Sequence, residues 1–226
     1  MEKKIILIFM MLIFPVVSYS QKDVTQFLGI PVDGSKLGMI QKLKEKGYTI
    51  SPTNKEILIG EFNGKDVNIH IVTNNNKVWR IMVADAYSID ETNIKLRFNN
   101  LIDQFQNNKN YRTLPDSTIV KYKIPKEEDL SYELTIKKKR YEASFYQHLI
   151  EKDSIALAKE TEEFKLKYNS IEESKKEEFF SKYIRETLEK YYMKSVWFMI
   201  REERYGKYQI VMYYDNEYNK ANGEGL

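Results

Sequence analysis

The stretch EILIGEFNGKDVNIHIVTNNNKVWRIMVADA, residues 56–86, constrains the fold of this chain more than any other segment. Asn63-Gly64 separates two strand-like runs, and Asn-Gly between alternating apolar residues is the strongest short-range signal for a hairpin. In the second run, alternate residues are apolar and form one face of a strand: Val67, Ile69 and Ile71. The loop TNNNK then returns the chain into VWRIMVA. The segment therefore predicts a three-stranded antiparallel meander.

Two amphipathic helices flank this meander. A turn at Asp33-Gly34 and an N-cap at Ser35 begin the first helix, and Gly47 ends it. Its apolar residues recur at helical spacing: Leu37, Ile40 and Leu43. Asp90 caps the second helix, in which five residues form one apolar stripe: Ile94, Phe98, Leu101, Ile102 and Phe105.

Further strands are predicted after Pro115, from STIVKYKI, LSYELTIKK and YEASFYQHL. In the middle segment apolar and polar residues alternate from Leu130 to Ile136, as one buried face requires. The basic cluster at residues 137–140 is interpreted as the solvated tip of a hairpin. Two last strands, SVWFMIREE and KYQIVMYYD, turn at Tyr205-Gly206, and the first should be central because both of its faces are apolar.

Between these groups of strands, from about residue 151 to 194, the apolar period changes from 2 to 3.6. This change predicts a charged helical hairpin, with Ser170 and Glu173 as a capping box at its second helix. The whole pattern predicts an α+β fold: an antiparallel sheet with helices packed on one face. Residues 21–226 should form a single domain with two related helix-plus-meander halves, 28–88 and 89–226, and the helical hairpin inserted in the second.

The first twenty residues, MEKKIILIFMMLIFPVVSYS, predict a secretory signal peptide. Their apolar run is shorter than the roughly 20 residues that span a bilayer, so we expect cleavage near Ser20-Gln21 and no stable membrane anchor. The chain has no cysteine, which excludes a lipoprotein thioether anchor and any disulfide. We therefore expect a periplasmic or secreted protein.

The search for chemistry yields no catalytic, metal or cofactor-binding residue. The 36 basic and 33 acidic residues are nearly balanced, which argues against a nucleic-acid partner. Neither a Gly-x-Ser-x-Gly nor a Ser-x-x-Lys motif occurs, and the two histidines, His70 and His148, form no zinc motif. A carboxylate pair for glycoside hydrolysis stays open, because two acidic residues distant in sequence can meet at about 5–10 Å.

An aromatic platform for sugar is a further possibility, formed by Trp79, Trp197 or tyrosines on a sheet face. Regular alternation, however, directs Trp79 to the core together with Ile81 and Val83. Trp197 lies within an apolar run and is also predicted to be in the core.

The stretch YYDNEYNKANGEGL, residues 213–226, resembles a calcium loop only in part. Asp215, Glu217 and Asn219 match the first three ligand positions of an EF-hand loop. However, Lys220 stands where glycine is needed, and Leu226 where a bidentate glutamate is needed. We interpret the segment as a strand end that runs into a polar, mobile tail. Its candidate partner contacts are Asp215, Glu217, Tyr218 and Glu224.

The segment GIPVDGSKLGMIQKLKEKGYT, with a meander that ends in TNNNKVWRIMVA, resembles the repeat of the β-lactamase-inhibitor-protein-like fold, which small outer-membrane-assembly lipoproteins share. The resemblance covers residues 28–84 and includes no catalytic residue. The chain departs from the pattern in lacking a lipobox cysteine and, in its second half, the opening glycines. The signal peptide, FLGIPVDG and the C-terminal stretch also resemble a family of uncharacterised secreted bacterial proteins, which implies an extracytoplasmic address and no mechanism.

These observations favour a non-catalytic extracytoplasmic module that binds an envelope protein or glycan, and we do not expect an enzyme. Two alternatives are a secreted hydrolase that cleaves glycans or peptides with a carboxylate pair, and a structural protein of the envelope.

Overall fold

The computed structural model describes residues 23–113, 123–147 and 162–221. In the first half of the chain, a small hairpin precedes a helix and a meander. The elements are β1 (Gln26–Phe27), β2 (Ile30–Pro31), α1 (Lys36–Glu45), β3 (Thr49–Ile50), β4 (Ile57–Phe62), β5 (Lys65–Asn74) and β6 (Lys77–Asp85). The meander predicted from residues 56–86 is confirmed.

The second half again begins with a helix and ends with strands. Its elements are α2 (Glu91–Asn107), β7 (Tyr111–Arg112), α3 (Leu130–Thr135), β8 (Glu142–Gln147), α4 (162–170), α5 (Glu173–Tyr192), β9 (Ser195–Glu202), β10 (Tyr208–Asp215) and a 3-10 turn (Glu217–Asn219). Eight strands form one antiparallel sheet in the order β3-β4-β5-β6-β10-β9-β8-β7. The final strands of the two halves, β6 and β10, therefore meet at the centre, and the predicted α+β fold is confirmed.

The hairpin turns follow from left-handed backbone conformations. Both residues of each two-residue turn have positive φ, as in Asn63 (52°) and Gly64 (70°). The same holds for Asn75-Asn76, and Tyr205 and Gly206 also have positive φ in the longer turn between β9 and β10. Asparagine and glycine adopt this conformation at low cost, and its twist matches that of the adjoining strands. The turn chemistry thus sets the register of the sheet.

One face of the sheet, the covered face, packs against α1 and α2. Side chains from six neighbouring strands line up across it: Leu58, Ile69, Val83, Met212, Phe198 and Ala143. The predicted apolar stripe of α2 is confirmed, because all five of its members are buried. Phe98 and Phe105 of α2 lie 5.2 and 5.6 Å from Phe198, centroid to centroid. Each fully buried aromatic side chain contributes about 1.5–3 kcal/mol.

The first helix differs from its prediction at one position. Ser35 is the N-cap, and its Oγ accepts a hydrogen bond from the Gly38 N–H. The buried residues of α1 are Met39 and Leu43, whereas Leu37 is 80% exposed. Met39 and Leu43 are one helical turn apart and share a face, which Leu37 does not, so its assignment to the apolar stripe was wrong.

The strand predicted at residues 130–136 is wrong, because residues 130–135 form helix α3. The Asp129 carboxylate accepts a hydrogen bond from the Tyr132 N–H, which caps this helix. Leu130 is buried and Tyr132 is 49% exposed. Residues four apart, such as Leu130 and Leu134, share a face both in a helix and in a strand. So short a segment therefore does not distinguish the helical period of 3.6 from the strand period of 2. The basic residues 137–140 are exposed as expected, but they follow a helix.

The helical hairpin lies between β8 and β9, as predicted. Phe164 of α4 contacts Tyr183 of α5, with 4.3 Å between ring centroids. The predicted capping box is wrong, because Ser170 is the last residue of α4 and donates its hydroxyl to the Lys167 carbonyl. Of the other predictions, residues 1–20, 151–161 and most of STIVKYKI lie outside the described residues. None of the described helices has the length and apolar character needed to cross a membrane.

Candidate functional site

A β-bulge at Trp79 changes which side chains reach the second face of the sheet, here called the open face. Val72 pairs with Arg80 and Thr73 pairs with Val78, so Trp79 is one residue extra in β6. Val78 and Ile81 are both fully buried on the covered face, and Trp79 and Arg80 between them are half-buried. The prediction that Trp79 lies in the core is therefore wrong, because the extra residue interrupts the alternation.

The residues that follow β10 hold this bulge in place. The Asn216 N–H donates to the Trp79 carbonyl at 2.7 Å, and the Asn219 side-chain amide donates to the Val78 carbonyl at 2.9 Å. The Asn216 side chain is fully buried and donates to the Val32 carbonyl at 2.7 Å. Residues 216–219 therefore form a fixed C-terminal turn that continues from the end of β10.

Arg80 and Asp215 form the centre of the open face. Two guanidinium nitrogens of Arg80, Nε and Nη2, donate to the two carboxylate oxygens of Asp215, each at 2.6 Å. The Asp215 side chain is only 1% exposed and also accepts a hydrogen bond from Trp197 Nε1 at 2.9 Å. Bidentate charge-assisted bonds of this kind are strong and directional. They fix both the guanidinium and the indole in one orientation.

Aromatic rings surround this guanidinium. Its carbon lies 4.2 Å from the ring centroid of Trp79, 4.7 Å from that of Tyr213 and 5.5 Å from that of Trp197. Cations within about 6 Å of a ring face are attracted by its quadrupole. We call Trp79, Arg80, Trp197, Tyr213 and Asp215 the Arg80 cluster.

Trp197 has two different neighbours across the sheet. On β10 it stacks on Tyr213, with 4.0 Å between centroids and 18° between ring planes. On β8 its partner is Ser144, a small and exposed residue that leaves space beside the indole. The predicted core position of Trp197 is wrong, because Val196 and Phe198 on either side of it face the core instead. The prediction that β9 is an interior strand is confirmed.

A groove of about 540 Å³ opens beside Trp197. It runs along β8 and β9, and Tyr192 at the end of α5 forms one wall, so this helix reaches the open face. Tyr192 packs edge-on against Tyr146 at 5.4 Å and 84°. The groove volume falls within the range of about 300–1,000 Å³ that is usual for small-molecule sites. We call this space the open-face groove.

The charged side chains described in the open-face groove occur as two ion pairs. Arg140 Nη2 lies 2.9 Å from the Glu142 carboxylate at one position, and Lys220 Nζ lies 3.0 Å from the Glu217 carboxylate at another. Both pairs are partly exposed to solvent. The described charges of the groove therefore balance, and each has a partner within the protein.

The four residues predicted to contact a partner lie in different environments. Asp215 is buried on the open face because Arg80 and Trp197 bond to its carboxylate, which is therefore not exposed to a partner. Glu217 lines the open-face groove, and Tyr218 is 38% exposed. Glu224 lies outside the described residues, as does His148. Within the described ranges, no three histidine, aspartate or glutamate side chains converge as a metal site requires.

His70, on the open face of β5, is half-buried. Partial burial lowers its pKa below the ordinary value of 6.5, and the positive charges of Arg201 and Lys36 lower it further. The imidazole is therefore biased toward its neutral form.

Three residues of the candidate site did not stand out in the sequence: Arg80, Tyr146 and Tyr192. Ser144 and Tyr146 alternate with the buried Ala143 and Phe145, and this alternation was a usable signal for an exposed tyrosine. Arg80 had no such signal, because its position depends on the bulge.

A second cavity, of about 370 Å³, lies on the covered face between β4, α2 and β7. Its floor includes Tyr214, whose pKa is raised well above the ordinary 10.0 by burial and by Tyr111. Asn63 donates to Gln104 across its rim at 2.9 Å. This cavity is smaller and lined mainly by core side chains, so the open-face groove is the better candidate.

No protein-family model, curated protein or solved structure matches the chain.

Proposed function

We propose that this protein is a non-catalytic extracytoplasmic binding module and that it binds a component of the cell envelope in the open-face groove. The observation that carries the proposal is the Arg80 cluster. In it, a backbone bulge and a buried ion pair hold aromatic rings at a surface. The extracytoplasmic address rests on the signal peptide predicted from the sequence, and the resemblance to the β-lactamase-inhibitor-protein-like repeat stays a prediction.

The energetics of the Arg80 cluster support a binding role. Taking Arg80 and Asp215 out of water costs several kcal/mol per ion, which their mutual attraction offsets only in good geometry. A hydrophobic pair at these two positions would stabilise the sheet equally well or better. The ion pair does, however, fix the Trp197 indole through its N–H. A ring that is already ordered loses less entropy when a ligand binds, which strengthens binding.

A hydrolase is the second candidate, because Glu142 and Glu217 both line the open-face groove. A glycosidase needs one protonated carboxyl group and a second carboxylate that attacks the sugar or activates water. Glu142 and Glu217 are instead each engaged with a basic side chain, Arg140 and Lys220. This arrangement favours binding over cleavage.

The proposal is tested by co-sedimentation of the purified protein with envelopes isolated from the source bacterium. We expect the wild-type protein to sediment with the envelopes and Trp197→Ala to bind at least about 10-fold more weakly. Tyr87→Ala is the control, because Tyr87 is 72% exposed and lies outside the open-face groove. Equal sedimentation of wild type and Trp197→Ala, or none by the wild type, would contradict the proposal.

The same samples distinguish binding from hydrolysis. A binding module releases no soluble fragments from the envelopes, and Glu142→Gln and Glu217→Gln remain able to bind. Fragments that the wild type releases, and that either variant fails to release, would establish the hydrolase instead.

A further inference from the structure

We infer that the ligand of the open-face groove is an uncharged glycan chain. This inference rests on the proposed function and specifies the ligand class of the same groove. Three features of the groove lead to it: the orientation of Trp197, the pairing of the charges and the residues that form its walls.

The Trp197 indole offers a ring face to the ligand. Its N–H is already donated to Asp215, and one of its faces is covered by Tyr213. The remaining face lies toward Ser144, where the groove is. A flat apolar surface without a free donor suits the C–H face of a sugar ring, which is apolar and equally flat.

The charges of the groove favour hydroxyl groups over ionic groups. A charged ligand would have to compete with the Arg140–Glu142 and Lys220–Glu217 pairs, and it would leave one member of a pair without its partner. A hydroxyl both donates and accepts hydrogen bonds. It can therefore donate to the carboxylate and accept from the cation of the same pair, and neither ion pair has to break.

The walls of the groove fit a chain and not a single compact group. Tyr146 and Tyr192 meet edge to face, so their rings present two directions to the space beside Trp197. Ser144 and Ser195 supply hydroxyls on the strands between these rings. Aromatic surfaces separated by small polar residues match the alternation of apolar ring faces and hydroxyl edges along an oligosaccharide.

The first experiment determines which envelope component is bound. Envelopes are treated either with periodate, which cleaves the vicinal diols of sugars, or with protease, and the reagent is removed before the protein is added. We expect periodate to abolish co-sedimentation and protease to leave it unchanged. If protease abolishes binding and periodate does not, the partner is a protein. The glycan inference then fails, whereas the proposed function holds provided that binding still depends on Trp197.

The second experiment tests whether the ligand is uncharged. Both tryptophans of the chain, Trp79 and Trp197, lie on the open face, so intrinsic fluorescence reports on ligands there. Titrations use hexasaccharides of 1,4-linked glucose and 1,4-linked mannose, whose vicinal diols periodate cleaves, with a hexamer of galacturonic acid as the acidic counterpart. We expect a neutral hexamer to change the emission, with an affinity that is constant between about 50 mM and about 500 mM salt. Binding only of the acidic hexamer, weakened by salt, would overturn the inference.

Two variants disrupt the contact between Trp197 and the glycan in different ways. Trp197→Ala should weaken the binding of the neutral glycan at least about 10-fold. Ser144→Tyr should block the groove without disturbing the core, because Ser144 is exposed on its strand. Thr49→Tyr is the matched control at an exposed strand position on the far edge of the sheet. Undiminished glycan binding by a folded Ser144→Tyr protein would locate the site elsewhere and overturn the inference.

Discussion

Two arginine–aspartate pairs lie on opposite faces of the same sheet. On the covered face, Arg97 donates to Asp85 through Nε at 2.8 Å and through Nη2 at 2.5 Å. On the open face, Arg80 donates to Asp215 through the same two nitrogens, each at 2.6 Å. The two pairs are alike in chemistry and geometry, but they connect different parts of the fold.

The covered pair joins two elements that backbone hydrogen bonds do not join. Arg97 belongs to α2 and Asp85 to β6, and Asp85 also accepts the Ile210 N–H of β10 at 3.2 Å. The open pair connects residues that are already direct neighbours in the β6–β10 ladder. It therefore adds no new connection, and its effect is on the rings of Trp197 and Tyr213. The same pair of residue types thus stabilises the fold on one face and orders a surface on the other.

The largest difference between the faces is expected for truncation of an aromatic core residue. Phe198→Ala should lower the free energy of unfolding by about 3–5 kcal/mol, because it leaves a cavity among Phe98, Phe105 and Phe145. The adjacent Met199→Ala, half-buried on the open face, should cost less than about 2 kcal/mol. Urea denaturation followed by circular dichroism measures both values. Equal losses would mean that the open face is packed as a second core.

The two arginines provide the next comparison. Arg97→Met should lower the free energy of unfolding by about 2–3 kcal/mol, somewhat less than for a fully buried pair, because the side chain is 13% exposed. Arg80→Met should cause a similar loss, since it leaves the Asp215 carboxylate buried without a cation. Near-ultraviolet circular dichroism distinguishes them, because only Arg80→Met should weaken the tryptophan bands. If Arg97→Met weakened these bands equally, the two pairs would not have separate roles.

A smaller loss is expected at the C-terminal turn that holds the bulge. Asn216→Ala removes a buried donor to the Val32 carbonyl and an acceptor for the Tyr218 N–H. The free energy of unfolding should fall by about 1–2 kcal/mol, because the Val32 carbonyl is left unsatisfied. Asn100→Ala, at an exposed position of α2, is the control and should change it by less than about 0.5 kcal/mol. A loss as small as that of the control would show that the turn does not hold Trp79.

The smallest effect is expected from His70. Its pKa is lowered in the folded state, so the unfolded chain binds a proton at a higher pH than the folded protein does. Stability should therefore decline as the pH falls below about 6.5, and this decline should stop once the pH is below the folded-state pKa. Urea midpoints at several pH values should fall less in His70→Gln than in the wild type. Parallel curves for the two proteins would contradict this assignment.

Local patterns predicted most of the fold, because their causes are local. Asn63-Gly64 specifies a hairpin turn without help from the rest of the chain, and the stripe from Ile94 to Phe105 specifies a helix face. The assignment failed at residues 130–135, where one capping carboxylate, Asp129, outweighed an apparent alternation. Six residues contain too few apolar positions for their period to be read.

The site was predicted less well, because its causes are distant in sequence. Trp79 reaches the open face through a bulge, and the contacts that hold the bulge come from the C-terminal turn; Asn219 and Val78 are 141 residues apart. Alternation within β6 alone gives the opposite orientation for this tryptophan. The sequence does indicate an aromatic platform as one possible binding site. The other residues of the Arg80 cluster, however, can be identified only from the pairing of β6 with β10.

The position of β10 in the sheet also determines the order in which the protein can fold. This strand comes after every other strand of the sheet in the chain, yet it lies at the centre, between β6 and β9. As each half leaves the ribosome, one of its strand edges therefore stays unpaired until residues 208–215 are synthesised. Unpaired edges of this kind are prone to pair with other chains. The Thr25 hydroxyl donates to the Asp215 carbonyl, 190 residues away, so the first described residues are also fixed last. Folding should thus be slow and should require the synthesis of almost the whole chain.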